Sequence, residues 1–213
     1  MQILKDIAEK LVAGDARKVT ALVTQAIEEA IPAQQILNDG LLVGMDEVSR
    51  MFQEEELFIP EVLMSARAMS KGSELLKPLL KEGDTKAVGK VCIGTVQGDL
   101  HDIGKNLVKM MMEAKGMEVI DLGVDVSAEK FVATAKNEGC QIICCSALLT
   151  TTMRVMGEVV EKATAEGIRD QVKIMVGGAP VTEDFCKMIG ADVYTSDAAS
   201  AADAAVKLCT ELA

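Results

Sequence analysis

The chain has one histidine, His101, among its 213 residues, and it has no apolar run long enough to cross a membrane. A membrane-spanning helix needs about 20 consecutive apolar residues, so we expect no transmembrane segment. The first residues, 1–6, lack the hydrophobic region of a secretory signal peptide. These absences predict a cytoplasmic protein.

Positive charge is also scarce. Lysine and arginine number 22 against 33 aspartate and glutamate residues, which gives a net charge of −11. Nucleic acid and anionic membranes repel such a chain, so we expect neither as a partner. Hydrophobic residues make up 49% of the sequence, which is enough for a substantial buried core.

Several cofactor and metal motifs are missing. A Walker-type lysine motif and the pattern G-x-G-x-x-G are both absent, which argues against ordinary nucleotide cofactors. The cysteines form no C-x-x-C pair and have no zinc-ligand spacing. We expect all six to be structural thiols in the core of a protein from a reducing compartment: Cys92, Cys140, Cys144, Cys145, Cys186 and Cys209.

Residues 1–82 have the periodicity of helices. Apolar residues recur at three- and four-residue spacing in four stretches with short connections. Asp15 is placed to cap the second helix, and Pro32 and Pro60 suit the first turns of the third and fourth. We therefore predict an antiparallel four-helix bundle as one domain, followed by a linker at residues 83–87, which overlaps the polar segment 81–86.

Residues 88–213 form a second predicted domain, in which aliphatic runs alternate with helical patterns. The predicted strands are 88–96, 118–122, 141–146, 172–176 and 192–195, and the predicted helices are 104–115, 128–138, 153–166, 182–189 and 198–211. Strict alternation with aliphatic strands predicts an α/β fold with a doubly wound parallel five-stranded sheet. In such sheets ligands bind beyond the carboxyl ends of the strands.

The single histidine lies where the first predicted strand turns into a helix. It belongs to the segment 99–106, Asp-Leu-His-Asp-Ile-Gly-Lys-Asn, with carboxylates on both sides and glycines at 98 and 104. An imidazole with a carboxylate on its second nitrogen is a strong ligand for cobalt, iron, copper or zinc. Spacing alone leaves open a simpler interpretation, a helix-capping turn with a solvated histidine.

Two further motifs follow predicted strands. Ser146-Ala147-Leu148 comes after an aliphatic run and opens a threonine-rich stretch, 150–152, and Gly177-Gly178 comes after another. Each has an ordinary alternative, since threonines cap helices and paired glycines make turns.

Together, the three motifs resemble those of the cobalamin-binding domains of methionine synthase, corrinoid methyl carriers and B12-dependent mutases. The resemblance implies a flavodoxin/Rossmann-like fold and a cobalamin or corrinoid cofactor, cycling between cob(I)alamin and methylcob(III)alamin. It also implies that His101 replaces the cofactor's dimethylbenzimidazole as the lower ligand of cobalt. Asp99 would then accept a hydrogen bond from the other ring nitrogen.

The resemblance also implies a wider set of cofactor-binding residues. Small hydroxyl side chains after the third strand would line the slot of the displaced base, and the glycines would let the cofactor approach the backbone. Where methionine synthase has a serine that completes a proton relay with aspartate and histidine, this chain has Thr152, which leaves the relay geometry open. The full set is Gly98, Asp99, His101, Asp102, Ile103, Gly104, Ser146, Leu148, Thr150, Gly177 and Gly178.

Residues 1–82 are similar to the helical cap that shields the methyl-bearing face of the cofactor in methyl-transferring members. Cap and cofactor domain together, without a catalytic domain, indicate a non-catalytic carrier of methyl groups in anaerobic one-carbon metabolism such as methanogenesis. Its implied partners are a substrate-specific methyltransferase, a second corrinoid-dependent methyltransferase and a reductive activase. The alternatives are a subunit of a B12-dependent mutase, a cobalamin-sensing regulator and a cofactor-free flavodoxin-like interaction domain.

Overall fold

The computed structural model describes residues 1–80 and 87–211. It divides the chain into two compact units, Met1–Lys86 and Ala87–Ala213. The predicted linker at 83–87 lies outside the described residues except for Ala87. Within the described residues, no helix combines the length and the apolar composition needed to cross a membrane.

The first unit is helical, as predicted. Its third helix is a continuous stretch in which a π-helical segment joins two α-helices. The elements are α1 (Gln2–Val12), α2 (Ala16–Glu28), α3 (Ala33–Ile36), the π-helical segment Leu37–Leu42, α4 (Val43–Gln53), α5 (Ile59–Leu76) and a 3-10 turn, Lys77–Leu79.

Local sequence explains where these helices begin. The carboxylate of Asp15 accepts a hydrogen bond from the Lys18 amide at 3.1 Å and caps α2 as predicted. Pro60 lies in the first turn of α5, also as predicted, whereas Pro32 lies just before α3 rather than inside its first turn. The apolar faces of the helices then form a common core that includes Ile7.

The π-helical segment lies where the chain packs tightly on α1. A Cβ added to Gly44 would come within 3.1 Å of the Ala8 backbone, and one added to Gly40 would come within 3.3 Å of the Ile7 side chain. These glycines let the two helices approach closely. A π-helical segment inserts an extra residue into a helix, so it changes which residues face that contact.

The second unit has the predicted five strands and five helices, each within two residues of its predicted ends. They are β1 (Lys90–Thr95), α6 (Ile103–Ala114), β2 (Glu118–Asp121), α7 (Ala128–Glu138), β3 (Ile142–Ser146), α8 (Arg154–Ala165), β4 (Lys173–Gly177), α9 (Glu183–Ile189), β5 (Val193–Tyr194) and α10 (Ala198–Glu211). The strands are all parallel, in the order β2-β1-β3-β4-β5, which confirms the doubly wound sheet.

Helices cover the sheet on both faces. α6 packs with α10, and α7 packs with α8, which in turn contacts α9. Phe131 of α7 is fully buried, and a Cβ on Gly94 would lie 2.9 Å from its ring, so the glycine lets this helix pack closely on β1. The six cysteines are free and buried, which confirms their predicted place in the core.

The strand register brings the motif loops to one edge of the sheet. Thr95 at the end of β1 pairs with Ser146 at the end of β3, and Ser146 pairs with Gly177 at the end of β4. The chain leaves β1 toward β2 on one side and later returns to β3 on the other. The switch point between β1 and β3, where such folds bind ligands, therefore lies directly beside the histidine segment.

Candidate cofactor-binding site

His101 and Asp99 form a hydrogen-bonded pair in the loop between β1 and α6. Nδ1 of His101 lies 2.7 Å from Oδ1 of Asp99, and the same oxygen accepts a hydrogen bond from the His101 amide at 3.1 Å. The Asp99 side chain is buried, whereas that of His101 is 52% exposed. The carboxylate thus fixes one edge of the ring and leaves the other edge open.

The second oxygen of Asp99 binds the loop that follows β3. It accepts hydrogen bonds from the amides of Leu148 and Leu149, at 2.8 and 3.1 Å, and lies 3.0 Å from the hydroxyl oxygen of Thr152. One buried carboxylate therefore joins the histidine segment to the second motif. It does not cap α6, which begins directly after Asp102.

The ionisation state of Asp99 follows from its surroundings. Burial alone would raise the pKa of Asp99, but hydrogen bonds from His101 and from the Leu148 and Leu149 amides hold that pKa well below its usual value. A carboxylate can only accept, so Nδ1 of His101 carries the proton that is shared with it. In the neutral ring Nε2 then has a free lone pair, and it has no hydrogen-bond partner among the described residues. That is the state a metal ligand requires.

Thr152 supplies the hydroxyl at the position that the resemblance implies for a relay. Its Oγ1 lies 3.0 Å from the Asp99 carboxylate and 2.8 Å from the carbonyl oxygen of Leu149, so its single proton has two acceptors within reach. The alternative interpretation of the threonines as a helix cap is wrong. α8 begins at Arg154 after Met153, without a side-chain cap, because Thr152 is engaged by the buried carboxylate instead.

The glycines of the motifs serve different purposes. A Cβ on Gly178 would lie 1.9 Å from the carbonyl oxygen of Ala147, and its φ is +131°, so the close passage of two loops requires glycine there. Gly98 has a φ of +84°, which also favours glycine. A Cβ on Gly104 would have no neighbour within 4 Å. The fold does not require glycine at position 104, and the space beside it suits a bulky cofactor.

Large apolar side chains surround the histidine and face solvent. Leu100 and Ile103 are 72% and 78% exposed, and Leu148 and Leu149 of the adjoining loop are also exposed. Such a group of exposed apolar residues is typical of a binding surface. It fits the hydrocarbon periphery of a corrin ring.

The remaining candidate residues lie on the same edge of the sheet but take less part in the hydrogen bonds around His101 and Asp99. Asp102 accepts a bond from the Asn106 side chain at 3.1 Å. Ser146 is half-buried at the end of β3, and Thr150 is exposed in the loop after it. Gly177, in register with Ser146, ends β4.

Sequence reasoning missed two residues that hold the histidine segment. The hydroxyl of Thr95 donates to the carbonyl oxygen of His101 at 2.8 Å, and the carboxylate of Asp125 accepts from the Gly98 amide at 2.7 Å. Thr95 could have been found as the last residue of the strand that precedes the motif. Nothing in the sequence marks Asp125, because it lies 27 positions from its partner.

The described residues contain no group of three histidine, cysteine, aspartate or glutamate side chains that could hold a metal ion. Burial raises the pKa of the thiols of Cys144 and Cys145, so they stay protonated. A single exposed imidazole instead suits a metal that arrives with its other ligands, as cobalt does in a corrin. The donor set, the space beside Gly104 and the apolar surroundings of His101 all fit this cofactor.

Comparison with known proteins agrees with this site. Residues 89–206 match the family described as "B12 binding domain", and residues 3–77 match a second family with the same description.

Relatives resemble the chain over nearly its whole length. Dimethylamine corrinoid protein 3 of Methanosarcina acetivorans is 40% identical over 206 residues, covering 97% of this chain and 96% of its own. Trimethylamine corrinoid protein 1 of the same organism is 41% identical over 199 residues, with 92% of each chain covered.

Solved structures are also similar. A cobalamin-binding protein from Desulfitobacterium hafniense has a TM-score of 0.82 at 33% identity and covers 99% of this chain and 98% of its own. The methanol:cobalamin methyltransferase complex MtaBC from Methanosarcina barkeri contains a chain with a TM-score of 0.85 at 34% identity. The match covers 98% of the present chain and 80% of that one.

Proposed function

This chain belongs to the family of corrinoid proteins with a B12-binding domain, and we propose that it carries a methyl group on cobalt between a substrate-specific methyltransferase and a second methyltransferase. Its cofactor is a corrinoid. When bound, that group supplies a cobalt atom able to take a methyl group from one substrate and pass it to another. The protein's own residues would bind the cofactor, supply an imidazole ligand to its cobalt and exclude water.

The observation that carries the ligand assignment is the His101–Asp99 pair. Because Asp99 holds the proton-bearing Nδ1 at 2.7 Å, the free lone pair of Nε2 is presented on the exposed edge of the ring. A carboxylate partner also makes a metal-bound imidazole a stronger donor. Thr152 lies within hydrogen-bond distance of the same carboxylate and completes a path for a proton to or from the pair when the ligand binds or leaves.

The loops after β3 and β4 suit the displaced base and nucleotide tail. Ser146 and Thr150 place small hydroxyl groups beside this edge of the sheet, and Gly178 lets the loop after β4 pass close to Ala147. Hydroxyls of this size donate hydrogen bonds to an aromatic nitrogen without filling the slot. The Asp99 bonds to the Leu148 and Leu149 amides hold this loop in place.

The first unit has the surface that a protective cap needs. Seven large apolar side chains are exposed on its described residues, four of them in and around the first turns of α5: Met1, Val43, Phe58, Ile59, Leu63, Met64 and Leu79. Shielding a methyl group from water requires apolar side chains of this kind. We assign the cap role to residues 1–82 and cofactor binding to residues 88–213.

The proposed partners follow from the chemistry of a carrier. A substrate-specific methyltransferase delivers the methyl group, a second one removes it, and a reductive activase restores cobalt after accidental oxidation. Relatives named for dimethylamine and trimethylamine are 40% and 41% identical to this chain, so identity does not select one donor. The mutase and regulator alternatives are not favoured, because the named relatives are methylamine corrinoid proteins.

Electron paramagnetic resonance tests the ligand assignment. The full chain, labelled with ¹⁵N-histidine and reconstituted with cobalamin, is reduced to the Co(II) form. Because the chain has one histidine, we expect hyperfine coupling of cobalt to a single ¹⁵N nucleus. His101→Ala serves as the control and should lose that coupling. Coupling of the labelled wild type to ¹⁴N of dimethylbenzimidazole instead would overturn the assignment.

A further inference from the structure

The loop between β2 and α7 contacts the histidine segment at two points. Oδ1 of Asp125 accepts a hydrogen bond from the Gly98 amide at 2.7 Å, and the Asp125 amide donates to the carbonyl oxygen of Asp99 at 3.1 Å. Asp125 lies in a loop that carries none of the three motifs, and it hydrogen-bonds to the backbone on both sides of the Gly98–Asp99 peptide bond.

Asp125 adopts a conformation that few residues tolerate. Its φ is +54°, in the left-handed region, where aspartate and asparagine are several times more frequent than most other residues. Glycine would fit this conformation more easily but would lack the carboxylate. The position therefore combines an unusual backbone angle with an acceptor aimed at Gly98.

Thr95 fastens the histidine segment from the sheet. Its buried hydroxyl donates to the His101 carbonyl at 2.8 Å. Its backbone is tied to the same β2–α7 loop, because its amide donates to Gly123 at 3.0 Å and its carbonyl accepts from Val126 at 3.0 Å. Thr95 and Asp125 therefore belong to one framework around residues 98–101.

We propose that Asp125 and Thr95 are positioning residues for His101 as a cobalt ligand, which rests on the proposed role of His101. Nε2 of His101 can reach cobalt while Nδ1 stays hydrogen-bonded to Asp99 only if the backbone that carries His101 and Asp99 keeps its place. Asp125 and Thr95 fix that backbone at the Gly98 amide and at the carbonyls of Asp99 and His101. These bonds would keep the loop, and with it the His101 ring, in the place where cobalt would be bound.

The Co(II)/Co(I) midpoint potential of the reconstituted full chain tests this proposal. Histidine stabilises Co(II) but does not bind Co(I), so weaker ligation raises the potential, by about 59 mV for each tenfold loss of ligand affinity. Loss of an outer partner weakens metal ligation about tenfold or more. We therefore expect a shift of at least that size in Asp125→Gly, which keeps the backbone conformation and loses the acceptor.

Matched variants separate the hydrogen bonds from general structural damage. Asp125→Asn keeps both an acceptor and a tolerance of positive φ, and should match wild type. Thr95→Val loses the hydroxyl and should raise the potential, whereas Thr95→Ser keeps it and should not. Thermal unfolding of each cofactor-free variant checks that the fold is retained.

The outcomes distinguish this proposal from the ligand assignment. Wild type with one coupled histidine nitrogen, together with unchanged potentials in Asp125→Gly and Thr95→Val, would overturn the positioning role alone. Wild type without that coupling would overturn the ligand assignment, and the positioning role with it.

Discussion

Asp99 organises the site at the scale of a single residue. Each of its carboxylate oxygens accepts one hydrogen bond from a side chain, either the His101 ring or the Thr152 hydroxyl, and at least one from a backbone amide. Oδ1 serves His101, and Oδ2 serves Leu148, Leu149 and Thr152. The direction of these backbone amides is fixed by the chain, so both terminal atoms of the side chain at position 99 must be hydrogen-bond acceptors.

Replacing Asp99 with asparagine should therefore affect both stability and ligation. The new amide nitrogen must face either the Leu148 and Leu149 amides or the His101 amide and ring. In the second case Nδ1 has to accept, the ring proton moves to Nε2, and the lone pair for cobalt is lost. We expect Asp99→Asn to lower the free energy of unfolding by about 1–3 kcal/mol and to weaken histidine coupling in the Co(II) spectrum.

Asp102→Asn is the matched control for this change. Asp102 is exposed, and among the described residues its carboxylate accepts a hydrogen bond from the Asn106 side chain. Asparagine can accept that bond too, so urea denaturation should give a stability close to wild type. Equal stability and equal nitrogen coupling in Asp99→Asn and Asp102→Asn would contradict the role given to Asp99.

Gly104 should show opposite effects on stability and on cofactor binding. It lies in the first turn of α6, and a Cβ there has no neighbour within 4 Å. Alanine should therefore stabilise the cofactor-free protein, by up to about 0.5–1 kcal/mol, because it restricts the unfolded chain. The same methyl group occupies the space assigned to the corrin, so cobalamin affinity should fall in an absorbance titration.

Gly157→Ala provides the comparison for position 104. Gly157 lies in α8, where a Cβ would be in ordinary contact with Ile189 at 3.6 Å. This substitution should leave cobalamin affinity unchanged. An affinity loss of the same size in both variants would mean that the space at Gly104 is not special.

At the scale of elements, the loops after β3 and β4 pass each other at Gly178. A Cβ at that position would lie 1.9 Å from the Ala147 carbonyl oxygen and 2.9 Å from its carbon, so the backbone would have to shift. The displaced loop is the one held by Asp99 through Leu148. A backbone shift at Gly177-Gly178 would therefore also displace the loop that contains Ala147 and Leu148.

We expect Gly178→Ala to lower the free energy of unfolding by about 1–3 kcal/mol and to weaken cobalamin binding. Gly167→Ala controls for backbone strain, since Gly167 has a φ of +70° but no neighbour within 4 Å of its Cβ position. Thermal unfolding should rank Gly178→Ala as the less stable variant. The reverse order would rule out the steric explanation.

The strands and helices of the second unit were predictable because both faces of a parallel sheet are buried. Runs such as 142–145 are therefore continuously apolar and end at polar or glycine residues. Strict alternation of strand and helix also predicted that the sheet is parallel and doubly wound, although it did not give the order of the strands. The positions of the motif residues could be predicted together with the strands, since each motif directly follows a strand.

The loops and irregular elements were less predictable, for physical reasons. Asp125 accepts a hydrogen bond from a residue 27 positions away in the sequence. Thr152 binds a carboxylate 53 positions away and does not cap a helix. The π-helical segment Leu37–Leu42 lies where α1 approaches closely, at Gly40 and just beyond the segment at Gly44. Local periodicity contains none of these contacts.

At the scale of the whole molecule, the second unit carries every motif loop and has a core of its own. That core includes fully buried side chains such as Phe131, Ile143 and Met156. We expect the fragment Ala87–Ala213 to fold and to bind cobalamin without the first unit. Gel filtration with absorbance detection after reconstitution measures this. A folded fragment that elutes without cobalamin would contradict the assignment of cofactor binding to this unit.

The burial of all six thiols has a consequence for a carrier of reactive methyl groups. Thiolates are strong nucleophiles, and methyl groups on cobalt are electrophilic toward them. Burial keeps the chain's own sulfurs out of reach and raises the pKa of Cys144, Cys145 and Cys209, which keeps those three protonated. We therefore expect the buried thiols to be protected from methylation by the protein's own cofactor.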